Sequence, residues 1–208
     1  MADYKTIFGI AAGVLGVISS IPYLRDVIRR KTKPHLFTWF VWGVLTLIAF
    51  IAQIVRGGGS GSWITGITSF TCFLTAALAL RYGEKDIKVL DWVSLLGAAL
   101  GLLLWGITSD PLMAVILICI VDVLGFVPTL RKGYAKPHEE TLIFYELSFL
   151  KFAAGLIALR SYTPTTYLFP ALVAFINAFF ATTLLLRRRF LSNQNRGHDP
   201  ATSAADNS

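Results

Sequence analysis

Charge is scarce in this chain. Only 15% of its 208 residues are Asp, Glu, Lys or Arg while 55% are hydrophobic, and soluble globular domains carry about 25% charged residues. That deficit excludes an ordinary water-soluble fold, in which each element hides one apolar face and solvates the other. Cysteine is nearly absent as well. The two present, Cys72 and Cys119, sit inside apolar runs and read as small packing residues, not as a disulfide or a metal site. No His-rich or Asp-rich set stands at ligand spacing within an apolar run, so no metal, cofactor or enzymatic acid/base cluster is expected. The net charge of +7 raises nucleic acid as a partner, but the basic residues fall in short segments between apolar runs and not on a soluble face, which argues against it. Also missing is an Ala-x-Ala-like site after the first apolar stretch, which continues into Pro22 and a basic segment. That stretch is therefore expected to be a spanning helix and not a cleaved signal.

What is present is a series of long apolar runs, at Ile7–Leu24, Leu36–Val55, Trp63–Leu80, Val89–Ile107, Leu112–Leu130, Thr141–Leu159 and Tyr167–Leu186. Runs of about 18 to 20 residues cross a hydrocarbon core roughly 30 Å thick at about 1.5 Å per residue, and lipid obliges them to satisfy their peptide groups internally as helices. The fold class expected is an all-α integral membrane protein with seven transmembrane helices, its main partner the lipid bilayer. Arg25, Arg29, Arg30, Lys31 and Lys33 mark the first loop, Arg81, Lys85 and Lys88 the third, Arg131, Lys132 and Lys136 the fifth, and Arg187-Arg188-Arg189 the start of the tail. The even loops hold one Lys or Arg at most. Basic odd loops place the N-terminus outside and the C-terminus in the cytoplasm, with the plasma (inner) membrane as the expected location. The polar segment from about Ser192 onward is expected to be disordered.

An internal repeat organises these runs. A shift of 106 residues, from 22 to 128, pairs Pro22 with Pro128, Leu24 with Leu130, Arg25 with Arg131, Trp39 with Tyr145, Ala52 with Ala158, Phe73 with Phe179 and Arg81 with Arg187. Both halves also carry Lys-Pro-His in the basic loop, at Lys33-Pro34-His35 and Lys136-Pro137-His138. The division expected is a first three-helix repeat at 1–82, a linker helix at 83–110, a second repeat at 111–190 and the tail at 191–208, a 3+1+3 plan. Three helices end opposite to where they began, and the single linker restores the sense, so the repeats run parallel. In one known transporter plan such halves hold the solute near the midplane between them.

With Ile21-Pro22-Tyr23-Leu24-Arg25 in the first helix and Val127-Pro128-Thr129-Leu130-Arg131 in the fifth, the region from about residue 7 to 187 resembles the PQ-loop and SWEET-type seven-helix transporters. Tyr23 and Thr129 stand where many members carry Gln after the proline. The resemblance implies a carrier for a small polar solute, sugars among the candidates, working by alternating access, with Pro22 and Pro128 at its hinge positions. It places a pocket residue at Asn177 in the seventh helix, with Thr71 at the equivalent place in the third. From the residues alone, a proline near a helix end either flexes the helix or terminates it.

Polar side chains within hydrocarbon are costly and usually face a cavity or a partner. Counted from the basic ends of their helices, Asp122, Lys151 and Asn177 lie at roughly 12 to 15 Å depth and Glu146 at roughly 8 Å. They either line a central cavity, with Asn177 bonding the solute and Asp122 or Glu146 carrying a proton for coupling, or Lys151 forms a buried ion pair with Asp122 or Glu146 that fixes packing. Thr68, Thr71 and Thr75 share one helix face, as pocket wall or as hydroxyls bonding backbone. Trp39 and Trp42 serve as interfacial anchors or as rings that stack on a solute, the latter in the manner of vitamin or nucleoside carriers of the PnuC type. His35 and His138 read as solvated loop residues, with a cytoplasmic pH sensor as the other use. Gly9, Gly13 and Gly16 in the first helix and Gly97 and Gly101 in the fourth permit close helix contact, inside the chain or at a surface for a second copy. A non-transporting membrane receptor or scaffold is the remaining alternative. An enzyme is not expected.

Overall fold

The computed structural model describes residues 3–30, 34, 36–83, 89–135, 137–140 and 142–197. His35, Lys31, Lys33, Lys85, Lys88 and Lys136 of the basic loops lie outside the described residues. Among those described there is no strand. The helices are α1 (Tyr4–Ile28), α2 (Leu36–Val55), α3 (Trp63–Tyr82), α4 (Val89–Thr108), α5 (Pro111–Ala135), α6 (Leu142–Ile157) and α7 (Pro164–Gly197), with short 3-10 turns at Gly59–Ser62 and Pro137–Glu139.

Four of these, α1, α2, α3 with its preceding turn, and α7, are long and apolar enough to cross a membrane. The surface they leave uncovered is apolar too, with Ile10, Val14, Ile21, Phe70 and Phe175 all exposed. A helix set apolar both inside and outside belongs in lipid. Among the described residues α4 and α5 hold shorter apolar stretches, Leu95–Thr108 and Pro111–Phe126, and α6 has 16 residues and carries Glu146 and Lys151.

Helix ends depart from the sequence expectation in three places. First, α1 continues past Pro22 to Ile28 and α5 past Pro128 to Ala135, so neither proline terminates its helix. Second, α6 ends at Ile157 and not Leu159, because the chain tightens there. Ala158 N–H still bonds the Ala154 carbonyl at 3.0 Å, but Leu159 N–H bonds Leu156 at 3.1 Å, the shorter reach of a 3-10 turn. Third, α7 runs on to Gly197, where disorder was expected from Ser192. Its extension is anchored by Arg188, whose guanidinium donates to the carbonyls of Pro137 at 2.8 Å and Glu140 at 2.6 Å.

Packing follows one scheme in both halves. In the first, α3 packs on both α1 and α2; in the second, α7 packs on both α5 and α6. Across the seam α1 packs on α6 and α2 on α5, with smaller contacts of α2 on α7 and α3 on α6. Exchanging α1 for α5, α2 for α6 and α3 for α7 reproduces the pattern. Helix α4 stands outside it, lying on α5 and α2. Gly97 and Gly101 face Val121 and Ala114 of α5, and Gly9, Gly13 and Gly16 face Ser60, Ile67 and Ile64, so the glycine contacts are made within the chain.

Candidate functional site

The seam between the two helix triplets is layered from end to end. At the end holding the N-terminus, polar contacts cross between triplets. Arg160 N–H donates to the Gly58 carbonyl at 3.1 Å, Ser60 Oγ donates to the Ala158 carbonyl at 3.2 Å, and Arg160 reaches Asp3 at 4.0 Å. Beside them Ser60 Oγ also donates to the Lys5 carbonyl at 3.0 Å within the first triplet, and Arg56 pairs with Asp110, just before α5, at 3.0 Å. Gly61 makes this closure possible. A Cβ there would sit 2.6 Å from the Gly155 carbonyl oxygen and the Leu159 nitrogen, so only glycine lets the turn lie against the α6 backbone.

Below this cap lies an apolar layer. Leu45, Ile48, Ala49 and Ala52 of α2 meet Ala114, Val115 and Ile118 of α5 and Phe169 of α7. Cys119 belongs to this cluster, the packing role expected of it. Both cysteines are free and buried.

The polar groups come next. Lys151 on α6 is 5% exposed. Among the described residues it forms neither an ion pair nor a hydrogen bond, and its Nζ lies 5.6 Å from the centroid of the neighbouring Phe152 ring. The ion pair of Lys151 with Asp122 or Glu146 that the sequence allowed is therefore not formed. Asp122 on α5 is half-buried. Cys72 of α3 is buried and within electrostatic range of both Lys151 and Asp122. The sequence had assigned Cys72 to packing. Its neighbour Thr71 attracted attention instead, but Thr71 faces elsewhere. It borders an apolar groove between α1 and α3, with Val17, Ile21, Phe70 and Leu74, and its hydroxyl donates to the Thr68 carbonyl at 2.9 Å. Thr68 and Thr75 likewise bond their own helix, at 2.8 Å each.

Asn177 on α7 is buried, with its Nδ2 donating to Val173 O at 2.8 Å, which leaves its side-chain oxygen free of that bond. Glu146 is half-buried. It is nearer the aromatic layer by its place on α6.

That layer closes the opposite end. Rings connect without a break from Trp42 to Trp39 (5.5 Å between centroids), Tyr23 (4.9 Å), Phe144 (6.4 Å), Tyr145 (5.3 Å), Phe180 (4.5 Å) and Phe126 (5.2 Å). Five helices, α2, α1, α6, α7 and α5, contribute to it. Trp39 and Trp42 thus point into the protein against other rings, with Trp42 Nε1 lying 4.0 Å from where a Cβ of Gly125 would be. Pro22 precedes Tyr23 of this chain of rings and is itself exposed. Pro128 lies within α5, its side chain outside the described residues. Beyond the rings come the basic loops, where Arg30 and Arg81 both sit 5.7 Å from the Tyr82 ring and contacts such as Arg188 to Pro137 stay within one triplet.

Two buried groups escaped the sequence reading. Pro170 lies inside α7, and having no N–H it leaves the Thr166 carbonyl without its helical donor. Gln53 of α2, fully buried, donates to that carbonyl at 2.9 Å, bridging the triplets. A proline four residues after an unpaired carbonyl is a readable signal, but the donor that fills it is remote in sequence.

No family model, curated protein or solved structure matches the chain. Function is therefore read from the seam itself.

Proposed function

We propose that this chain is a seven-span carrier of a small polar solute, its two parallel three-helix halves moving against one another about the seam and α4 acting as the linker. One observation carries it: Lys151 of α6 is buried, and among the described residues it has neither an ion pair nor a hydrogen bond to neutralise its charge. Burying charge in lipid-embedded protein costs several kcal/mol when nothing compensates it. A receptor or scaffold needs no such expense, whereas a carrier needs polar groups at the midplane between its halves.

The shared packing scheme of the triplets supports the 3+1+3 plan and the likeness to PQ-loop and SWEET-type carriers. The gathering of Arg56, Asp110, Arg160 and Asp3 at one end and of Arg30, Arg81, Arg187 and Arg188 at the other supports an outside N-terminus and a cytoplasmic C-terminus. In this conformation hydrogen bonds cross the seam at the outer end, while at the inner end the halves meet through rings such as Tyr23 and Phe144. Pro22 supplies a flexible point in α1 directly beside those rings.

The test is uptake into vesicles reconstituted with purified protein, using a panel of sugars, nucleosides, carboxylates and amino acids, with and without a pH gradient. Flux that Asn177→Ala reduces without loss of folding is the expected result. Absence of flux for the whole panel would favour the scaffold alternative.

A further inference from the structure

We infer that the groove between α1 and α3 is a binding site for one anionic phospholipid, with an acyl chain along the groove and the phosphate against Arg30 and Arg81. The inference rests on the membrane-embedded fold and not on the carrier reading above.

The groove has a volume of about 700 Å³, within the range of about 300 to 1,000 Å³ of ligand clefts. Gly66 lies in its wall, and the Phe50 ring behind it stands 3.0 Å from where a Cβ would be. Both hydroxyls of the wall are already used by their own helices: Ser20 Oγ donates to the Gly16 carbonyl at 2.8 Å and Thr71 Oγ1 to the Thr68 carbonyl at 2.9 Å. Apart from the Trp63 indole, the wall thus has no free group with which to hydrogen-bond a polar solute. Its Val17, Ile21, Phe70 and Leu74 are exposed, so the groove opens toward lipid.

Charge decides the occupant. The groove residues Ile67, Phe70 and Leu74 follow one face of α3 at spacings of three and four, and the same spacing continues through the exposed Ala77 to Arg81. Arg81 therefore stands on the groove face, about 10 Å beyond Leu74 at about 1.5 Å per residue. Arg30, just past the end of α1, arrives at the same place from the other wall, since both guanidiniums lie 5.7 Å from the Tyr82 ring. Neither is paired with a carboxylate among the described residues. Two cations gathered on one ring repel each other, an anion beside them relieves this, and arginine takes a phosphate through two parallel bonds. A phospholipid satisfies both parts of the site at once, and basic clusters at a membrane surface favour anionic lipids. A zwitterionic headgroup brings its own cation and gives the arginines no net compensation. A second copy of the chain fits less well, because a two-fold axis along the membrane normal would bring Arg30 and Arg81 of one copy toward those of the other.

Native mass spectrometry and melting of the purified full chain in detergent test this. The probes are palmitoyl-oleoyl phosphatidylglycerol, phosphatidylcholine with the same chains, and glycerol phosphate as a headgroup without chains. One phosphatidylglycerol per chain is expected, retained about ten- to thirtyfold better than phosphatidylcholine, the worth of two arginines near a membrane surface, and glycerol phosphate should not bind. The double variant Arg30→Gln with Arg81→Gln changes only exposed side chains, so it should fold as the parent does and lose the preference. Arg189→Gln, an exposed arginine of α7, should keep it. Thr71→Trp, which fills the groove from its wall, should weaken retention of phosphatidylglycerol with both arginines in place. Equal retention of the two phospholipids, or a preference that survives the double arginine variant, overturns the inference. A preference that Thr71→Trp leaves intact shows attraction to the headgroup alone and overturns the groove as the site. A protein indifferent to phosphatidylglycerol that is dimeric, and monomeric as Thr71→Trp, makes a second copy the occupant and overturns it as well. No solute flux enters these measurements, so the carrier reading and this inference fail separately.

Discussion

Gln53 and Pro170 show how one residue's chemistry in this fold is set by another far along the chain. Pro170 removes an N–H from the α7 ladder, and Gln53 from α2 supplies the missing donor to Thr166 at 2.9 Å. Gln53→Leu is therefore expected to cost about 1 to 3 kcal/mol, the usual penalty for leaving a buried carbonyl unpaired. Pro170→Ala in the same chain should recover part of the loss by restoring the helical bond. Unfolding of the single and double variants in detergent measures both, and purely additive costs would disprove the pairing. Thr71→Val, by contrast, should leave stability and uptake nearly unchanged, within about 0.5 kcal/mol for stability, because its hydroxyl serves its own helix and faces the outer groove. Asp122 and Lys151 are legible as single residues, since their cost in an apolar run is evident without coordinates. Thr71 and Cys72 are not. Adjacent helical positions point about 100° apart, and only the packing of α3 on its neighbours decides which of them turns inward. Gln53 was passed over because it stands near the end of its run, where a polar side chain ordinarily meets headgroups.

Helices differ in how plainly their limits are written. For α2 the expected bounds, Leu36 and Val55, are those observed, since Pro34 before it and the glycines from Gly57 after it interrupt any helix. For α7 nothing of that kind follows Leu186, and Arg, Gln and Asn do not break a helix, so composition signalled the end of the apolar run and not the end of the helix. For α1 the proline left two readings open, and the helix runs on through it. Its ring leaves the Ile18 carbonyl without a donor but the turns on either side continue to Ile28. A proline within a helix costs about 3 kcal/mol or more, and α1 bears that cost beside the Tyr23 and Trp39 rings, which are 4.9 Å apart. Pro22→Ala should raise the melting temperature and slow uptake, since it straightens the element proposed to flex. A variant both more stable and equally fast would remove Pro22 from the mechanism.

On the scale of the whole molecule, repeated long apolar runs made the helical, membrane-embedded class legible in the sequence. The closures at either end were not visible, because they depend on pairs such as Ser60 with Ala158, and Tyr23 with Phe144, that no local pattern links. These closures make the sharpest test of motion between halves. Gly57 and Ser161 belong to different triplets, and a Cβ on Gly57 would lie 3.8 Å from that of Ser161, the typical Cβ separation in a disulfide of about 3.8 Å. Gly57 has φ of +72°, so Gly57→Cys carries roughly 1 to 2 kcal/mol of backbone strain, which the cross-link offsets by constraining the unfolded chain. The native thiols Cys72 and Cys119 are buried and remote from this end of the seam. The pair Gly57→Cys with Ser161→Cys should thus oxidise spontaneously, hold this end of the seam shut and, if the proposed carrier works by alternating access, abolish net uptake until a reductant is added, while either single variant transports normally. Under that proposal this end parts once per cycle. If the oxidised protein carries solute at the rate of the reduced one, these contacts are a permanent joint, and the halves do not move apart there.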